Sequence, residues 1–390
     1  MAINYNPSVV SSGLVLALDA ANPKSYDKYE NLITYSRVAN TNWVAINSAT
    51  VTENSATSPD GTNNATQIAG AAIAASGVYR TFPLTSGISY TYSLFVKAVS
   101  GTNTIYFGSD GGTVALITIN TSTGVASTNA GSPTNITSVP YPNGWYRISF
   151  TFTPSSTTTH SLVIYNLTAS TNTWLVYGVQ VEKGSSANDY YETTTTAKTR
   201  GTTWTDLSGN GNTGTINGSP TFTNGYFSIT SDSTYISIPN SGLVPRTNDF
   251  TYSCWIYFNS VDGADTIFEN GSWTDTLLFR YESTQFTVYA EGALVGTISW
   301  TAITGSWVNI ILRRQSNTVS CYINNVLTGT PFTMSTDINL ANPNLWLMRS
   351  QHTINQFTSG RISIFSIYNR ALTPQEIQQN YNALKGRFSV

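Results

Sequence analysis

Few residues in this chain are spaced for chemistry. His160 follows a run of threonines and His352 stands alone, neither with a serine, cysteine or aspartate in a pattern suggesting a triad. His160, at the start of a strand, is expected to be solvent-exposed scaffolding. Cleaving a glycosidic bond takes two carboxylates placed across a cleft. The nearest grouping is Asp262, Asp265 and Glu269, expected in a solvated loop between strands. Asp206, Ser208 and Asn210 alternate with spacers ahead of Gly211 and Asn212, as oxygen ligands do at the start of a calcium loop. Asn217 stands where such a loop would place its bidentate glutamate. The competing reading is a tight Asn-Gly turn in which Asp206 caps backbone amides. Asp19 would add a carboxylate if its segment meets this one. Calcium is thus the one metal the residues offer, and no other cofactor is implied. Trp273, in the polar stretch 270–275 (Asn-Gly-Ser-Trp-Thr-Asp), is the best aromatic for stacking on a sugar ring, with Asn270 and Asp275 to read hydroxyls. Trp43 and Trp204 are expected in cores.

These side chains must be held mostly by strands. Charged residues make up 10% of the chain, against about a quarter usually. An aromatic fraction of 12%, with 23 tyrosines, argues against disorder. Thr, Tyr, Val, Ile and Phe suit a pleated, half-buried surface, and helix-forming Lys and Glu are scarce. A net charge of −2 without a basic cluster argues against nucleic acid. No apolar run is long enough to cross a membrane, and no export signal is visible at the start. Cys254 and Cys321 cannot make a disulfide framework and are expected as buried thiols. With 390 residues, two or three domains are expected.

Period-two alternation recurs along the chain. Tyr146, Ile148, Phe150 and Phe152 share one face, as do Phe250, Tyr252, Cys254, Ile256 and Phe258. Residues 90–97, 174–182, 308–312 and 319–323 repeat the pattern, with Gly, Pro and Asn clusters between. Many short strands imply sandwiches rather than a parallel sheet. One helix is expected, at the C-terminus. Thr373 supplies an N-cap hydroxyl, Pro374 the first helical position and Glu376 the residue that reaches back. Ile377, Tyr381 and Leu384 share a face, and Gly386 is expected to end the helix.

Three segments carry a family likeness: 13–26 (Gly-Leu-Val-Leu-Ala-Leu-Asp-Ala-Ala-Asn-Pro-Lys-Ser-Tyr), 201–214 (Gly-Thr-Thr-Trp-Thr-Asp-Leu-Ser-Gly-Asn-Gly-Asn-Thr-Gly), and 367–376 (Ile-Tyr-Asn-Arg-Ala-Leu-Thr-Pro-Gln-Glu) running on to Phe388. Together they resemble the laminin-G-like, concanavalin-A-type jelly-roll domains of phage virion proteins, in which the first segment normally runs almost directly into the second. The intervening stretch has its own motifs: 31–36 (Asn-Leu-Ile-Thr-Tyr-Ser), 58–62 (Ser-Pro-Asp-Gly-Thr), 145–147 (Trp-Tyr-Arg) and 177–184 (Tyr-Gly-Val-Gln-Val-Glu-Lys-Gly). These resemble a carbohydrate-binding-module type of jelly roll found in phage tail and fibre proteins. The expected organisation is an N-terminal arm, 1–12, free to dock on a neighbouring subunit. A discontinuous sandwich of 13–26 with 200–390 follows, and 27–199 is a second β-jelly-roll inserted in it. The fold class is therefore all-β: a concanavalin-like β-sandwich with an inserted jelly roll and one short C-terminal helix.

The resemblance implies sugar-binding folds, which do not by themselves supply function. No strand matches the Glu-x-Asp-x-x-Glu motif of concanavalin-fold glucanases, so the expected protein is not an enzyme. It implies a virion surface component: a capsid decoration, a head fibre or a short tail adhesin, made in the host cytoplasm. Its partners would be other virion proteins and host-surface polysaccharide, and its assembly a homo-oligomer, a trimer ahead of a dimer. The rivals are a glycan-degrading virion enzyme and a bacterial surface lectin.

Overall fold

The computed structural model describes residues 8–101, 104–239, 243, 247–261, 263–272, 275–338, 344–351, 353 and 356–390. The chain divides into two compact units, one of residues 1–28 with 201–390 and one of residues 29–200. Both are built almost wholly of antiparallel strands, as the alternation predicts.

The discontinuous unit is a sandwich of two eight-stranded sheets. The first runs Thr221–Thr223, Tyr226–Ile229, Gly360–Tyr368, Phe250–Phe258, Trp307–Gln315, Thr318–Ile323 and Val326–Thr333, with Leu14–Asp19 also paired to Gly360–Tyr368. The second runs Thr203–Trp204, Gly214–Asn217, Tyr235–Pro239, Asn344–Leu347, Ala264–Ser272, Asp275–Glu282, Gln285–Ala290 and Ala293–Ser299. Alternate residues of both sheets fill one core, among them Leu16, Leu18, Trp204, Phe227, Phe250, Tyr252, Cys254, Phe279, Cys321 and Phe365. Each such large side chain contributes about 1.5–3 kcal/mol of apolar burial. The core is dry enough that burial pushes the Cys254 thiol up to about 12.

Pairing closes this unit across the whole chain length. Leu14–Asp19 lies antiparallel to Gly360–Tyr368, Leu14 opposite Tyr368 and Asp19 opposite Ile364. Tyr26 packs between Phe222 and Phe227, both at 4.7 Å between ring centroids. Where the chain leaves and re-enters the unit its ends lie side by side, the Gly201 N–H donating to the Asp27 carbonyl at 3.0 Å.

The single α-helix among the described residues, Pro374–Leu384, has both arms of the capping box. The Glu376 N–H donates to Thr373 Oγ1 at 3.2 Å, and the Thr373 N–H donates to Glu376 Oε2 at 2.8 Å. A bidentate pair with Arg370 at 2.7–2.8 Å, the largest influence, holds the Glu376 carboxyl down at about 2. The helix docks on the outer face of the first sheet, where Trp255 stacks on Tyr381 and on Phe388, the latter at 4.1 Å. One expectation needs correction here. Gly386 does not end the helix, which stops at Leu384 and tightens into a 3₁₀ turn, Lys385–Arg387, that contains it. The described part of the arm, residues 8–12, lies on this unit's own helix. The Val10 N–H donates to Asn380 Oδ1 at 2.8 Å, and its carbonyl accepts from the Tyr368 hydroxyl at 3.0 Å.

The unit of residues 29–200 is a sandwich of two six-stranded sheets. One runs Thr134–Tyr141, Trp145–Phe152, Tyr90–Ser100, Thr173–Lys183, Ala65–Ala69, Thr50–Ala56; the other Val44–Ile46, Gly77–Leu84, Thr158–Asn166, Thr104–Ser109, Ala115–Asn120, Ala126–Ala130. Trp43, Tyr92, Phe107, Ile148, Phe150 and Trp174 lie in the core between them. The motif residues fasten loops to the first of these sheets. Asn31 donates to the Val179 and Tyr191 carbonyls at 3.0 Å and accepts from the Val181 N–H at 3.1 Å. The Tyr177 hydroxyl donates to Asp60 at 2.7 Å, and Trp145 Nε1 donates to the Thr57 carbonyl at 3.3 Å. Burial works against an ionised Asp60. Hydrogen bonds from Ser58, Tyr177 and Thr62 outweigh it and hold the carboxyl well below the usual range. These motifs therefore specify architecture.

Candidate functional site

The side chains singled out for chemistry fall mostly into structural roles. His160 is buried rather than exposed, because it shares the inward face of Thr158–Asn166 with Leu162 and Ile164. Its Nδ1 lies 2.9 Å from Ser109 Oγ, and burial lowers its pKa. Gly112 permits this covering: at φ +68°, a Cβ there would come within 2.8 Å of the imidazole. His352 lies outside the described residues. Asp265 and Glu269 are buried within strand Ala264–Ser272, not in a solvated loop, and Asp262 lies outside the described residues. Glu269 Oε2 accepts the Gln351 N–H at 2.6 Å.

The described residues of the polar stretch 270–275 lie in two paired antiparallel strands, Ala264–Ser272 and Asp275–Glu282, with Ser272 opposite Asp275. Asn270, proposed to read hydroxyls at the surface, points into the core instead. It pairs in register with Leu277 and Leu345, and its Nδ2 donates to the Tyr252 hydroxyl at 3.2 Å. The alternation of the strand decides this, since a shift of one residue would put it on the sheet's other face. Asp275 opens its strand, and Trp273 lies outside the described residues.

The Asp206 loop has the hydrogen bonds of a turn. Asp206 Oδ1 accepts from the Ala17 and Ser208 N–H groups, each at 2.9 Å. Its Oδ2 accepts from Ser208 Oγ at 2.8 Å and the Asn212 N–H at 3.0 Å. Asn210 and Asn212 donate through Nδ2 to the Leu14 and Val15 carbonyls at 3.2 and 2.8 Å. The loop thus clamps the first strand. Asp19 is held in a bidentate pair with Arg387 at 2.8–2.9 Å. Among the described residues no three acidic, histidine or cysteine side chains cluster as a metal site.

Two Arg–aromatic clusters stand on the outer faces of this same unit, and they differ in one respect. On the second sheet Tyr235 and Trp346 stack at 4.2 Å, and Arg349 lies 4.9 and 5.1 Å from their centroids. Arg349 also makes a two-point pair with Asp232, both contacts 3.1 Å, so its charge is met within the protein.

The second cluster spans four neighbouring strands of the first sheet: Tyr226, Arg361, Tyr257 and Trp307. Register sets Tyr257 opposite both Arg361 and Trp307. The Arg361 guanidinium lies 4.3 Å from the Tyr257 centroid and 5.1 Å from that of Tyr226. Tyr226 and Trp307 are three strand spacings apart, about 14 Å at the backbone. Their side chains lean together to 5.5 Å, and Trp307 meets Tyr257 at 5.8 Å. All four side chains are half-buried. Phe388 supports Trp307 from the helix end at 5.0 Å. Arg361 has no carboxylate, carbonyl or amide partner among the described residues, the only described arginine of which this holds. This arrangement offers fixed aromatic surface beside free N–H donors, which can stack on a ring and bind oxygen atoms. The sequence signal for it is a bulky aromatic on the would-be polar side of a strand. In Phe250–Phe258 both Trp255 and Tyr257 are of that kind; the helix covers Trp255, and Tyr257 stays half-open.

Residues 230–378 match the family model described as the Concanavalin A-like lectin/glucanases superfamily. That stretch holds Tyr257, Trp307 and Arg361, and the sandwich around it is concanavalin-like. Among solved structures, the botulinum neurotoxin serotype G binding domain is similar at 16% identity and a TM-score of 0.40, over 45% of this chain and 47% of that one. The receptor binding domain of botulinum neurotoxin C/D mosaic serotype gives 12% identity and a TM-score of 0.39, over 46% and 48%. The chain therefore spans about half the length of these structures. No curated protein matches it.

Proposed function

We propose that this protein is a non-catalytic, saccharide-binding component of the surface of a bacteriophage particle. The observation that carries the binding reading is the Tyr226–Arg361–Tyr257–Trp307 cluster, half-open on a lectin-type sandwich with its guanidinium unspent. The phage context rests on the sequence likeness of segments 13–26, 201–214 and 367–388 to virion jelly rolls. Residues 29–200 are, in this reading, an inserted carbohydrate-binding-like jelly roll that adds reach or a second weak site. A homo-oligomer, a trimer ahead of a dimer, would present several copies together. Calcium remains a candidate stabiliser at the Asp206 loop.

A single such site binds weakly, since hydroxyl contacts mostly exchange water for protein. Repeated copies raise the effective concentration of every site after the first. The test is an array of host polysaccharides probed with monomeric and bead-displayed protein, beside an assay for released reducing ends. Binding only in the displayed form, lost with Trp307→Ala and without sugar release, is expected. Sugar release would make the protein an enzyme, and no binding in either form would refute the reading. Immunogold labelling of purified particles tests the location.

A further inference from the structure

Arg361 is held as if waiting for an anion. Its guanidinium stacks between Tyr226 and Tyr257, so much of the side-chain entropy that a flexible arginine would lose on binding is already lost. The other described arginines point their N–H groups at carboxylates, carbonyls or amides, among them Arg349 to Asp232, Arg370 to Glu376 and Arg387 to Asp19. Among the described residues Arg361 is the one arginine that keeps its donors unspent, on a half-buried face where two tyrosine ring quadrupoles compensate only part of its charge. A planar fork of N–H donors is matched best by a planar two-oxygen anion, and the bonds are charge-assisted. Trp307 beside it, its ring turned 66° from that of Tyr257, supplies the apolar surface for the C–H face of a sugar ring.

From this geometry we infer that the cluster selects saccharides bearing a carboxylate, such as uronic-acid polymers, with Arg361 gripping the carboxylate and Trp307 stacking on the ring. This rests on the saccharide-binding reading and narrows it to one chemical class. The protein's net charge of −2 provides no broad attraction for polyanions, so the preference has to come from this one local cation.

The test immobilises polygalacturonate, alginate and hyaluronan, each beside its carboxyl-reduced, neutral counterpart. Full-length protein displayed on beads is applied as wild type, Arg361→Gln, Arg361→Lys and Trp307→Ala, each variant first matched to wild type by thermal melting. At least one acidic polymer should bind wild type about tenfold to hundredfold more tightly than its reduced form. Arg361→Gln should erase that preference while leaving the residual binding to neutral polymer. Arg361→Lys should restore only part of it, because a point charge lacks the fork. Trp307→Ala should weaken both forms. Equal binding of acidic and reduced polymers by wild type, still lost with Trp307→Ala, would overturn the carboxylate inference and keep the saccharide reading. The same overturning follows if Arg361→Gln retains the preference. Binding to no polymer, acidic or neutral, would defeat both.

Discussion

Replacing Asp206 with alanine separates a structural anchor from a metal ligand. The carboxylate accepts four hydrogen bonds, from the Ala17, Ser208 and Asn212 N–H groups and the Ser208 hydroxyl, at 2.8–3.0 Å. Hydrogen bonds to a charged group contribute about 1.5–3 kcal/mol each when buried, less where water can replace them. Asp206 is 8% exposed but its loop borders solvent, so the loss is well below a simple sum. An overall cost of about 3 kcal/mol is expected. It falls on the pairing of Leu14–Asp19 with Gly360–Tyr368, which closes the unit. For a domain of this size that is a drop of about 6–12 °C in Tm. Differential scanning calorimetry of wild type and Asp206→Ala, each with calcium and with chelator, is the assay. An unchanged Tm in the variant would refute the anchoring role. A wild-type Tm raised several degrees by calcium, and not in the variant, would make the carboxylate a ligand.

Two further outcomes follow from the same geometry. Joining Lys28 directly to Gly201 should leave a soluble, cooperatively melting β unit, since Gly201 already bonds to Asp27; an aggregated product with no cooperative melt would contradict it. Glu182 is buried beside Arg200, Asn188 and Gln180, and burial, the largest influence, pushes its carboxyl up to about 7 from an ordinary 4.5. Between those values the folded state holds the proton more tightly than the unfolded one. Glu182 therefore makes stability fall as pH rises from about 4.5 to 7, by an order of 3 kcal/mol. His160 acts in the opposite sense, because its lowered pKa makes stability fall as pH drops below 6.5. Urea melts of wild type and Glu182→Gln across this range cancel the histidine; parallel pH profiles would show that Glu182 is not the titrating group.

Strand positions and the helix were legible because periodicity reports them directly. Phe250–Phe258 has the bounds its alternation predicts, and Thr373, Pro374 and Glu376 form the capping box their spacing implies. What sits over a strand's second face was not legible. Ser149 and Thr151 alternate with core residues yet are buried, joined to Thr137 and Thr91 on the neighbouring strands. Asn270 and His160 were misplaced for a related reason. A polar residue in a glycine-containing or threonine-rich stretch reads as exposed, but strand parity turned both inward. The Arg361 cluster was hidden because its members come from four strands that are neighbours only in the folded sheet, separated by up to 135 residues between Tyr226 and Arg361.

The most direct test is a crystal structure of the protein with a short acidic oligosaccharide taken from the best binder in the polymer panel. The expected result is a sugar ring lying on Trp307 with its carboxylate on the Arg361 guanidinium, which stays stacked over Tyr257. A sugar seated instead at residues 270–275, or anywhere on residues 29–200, with this cluster bare, would contradict it.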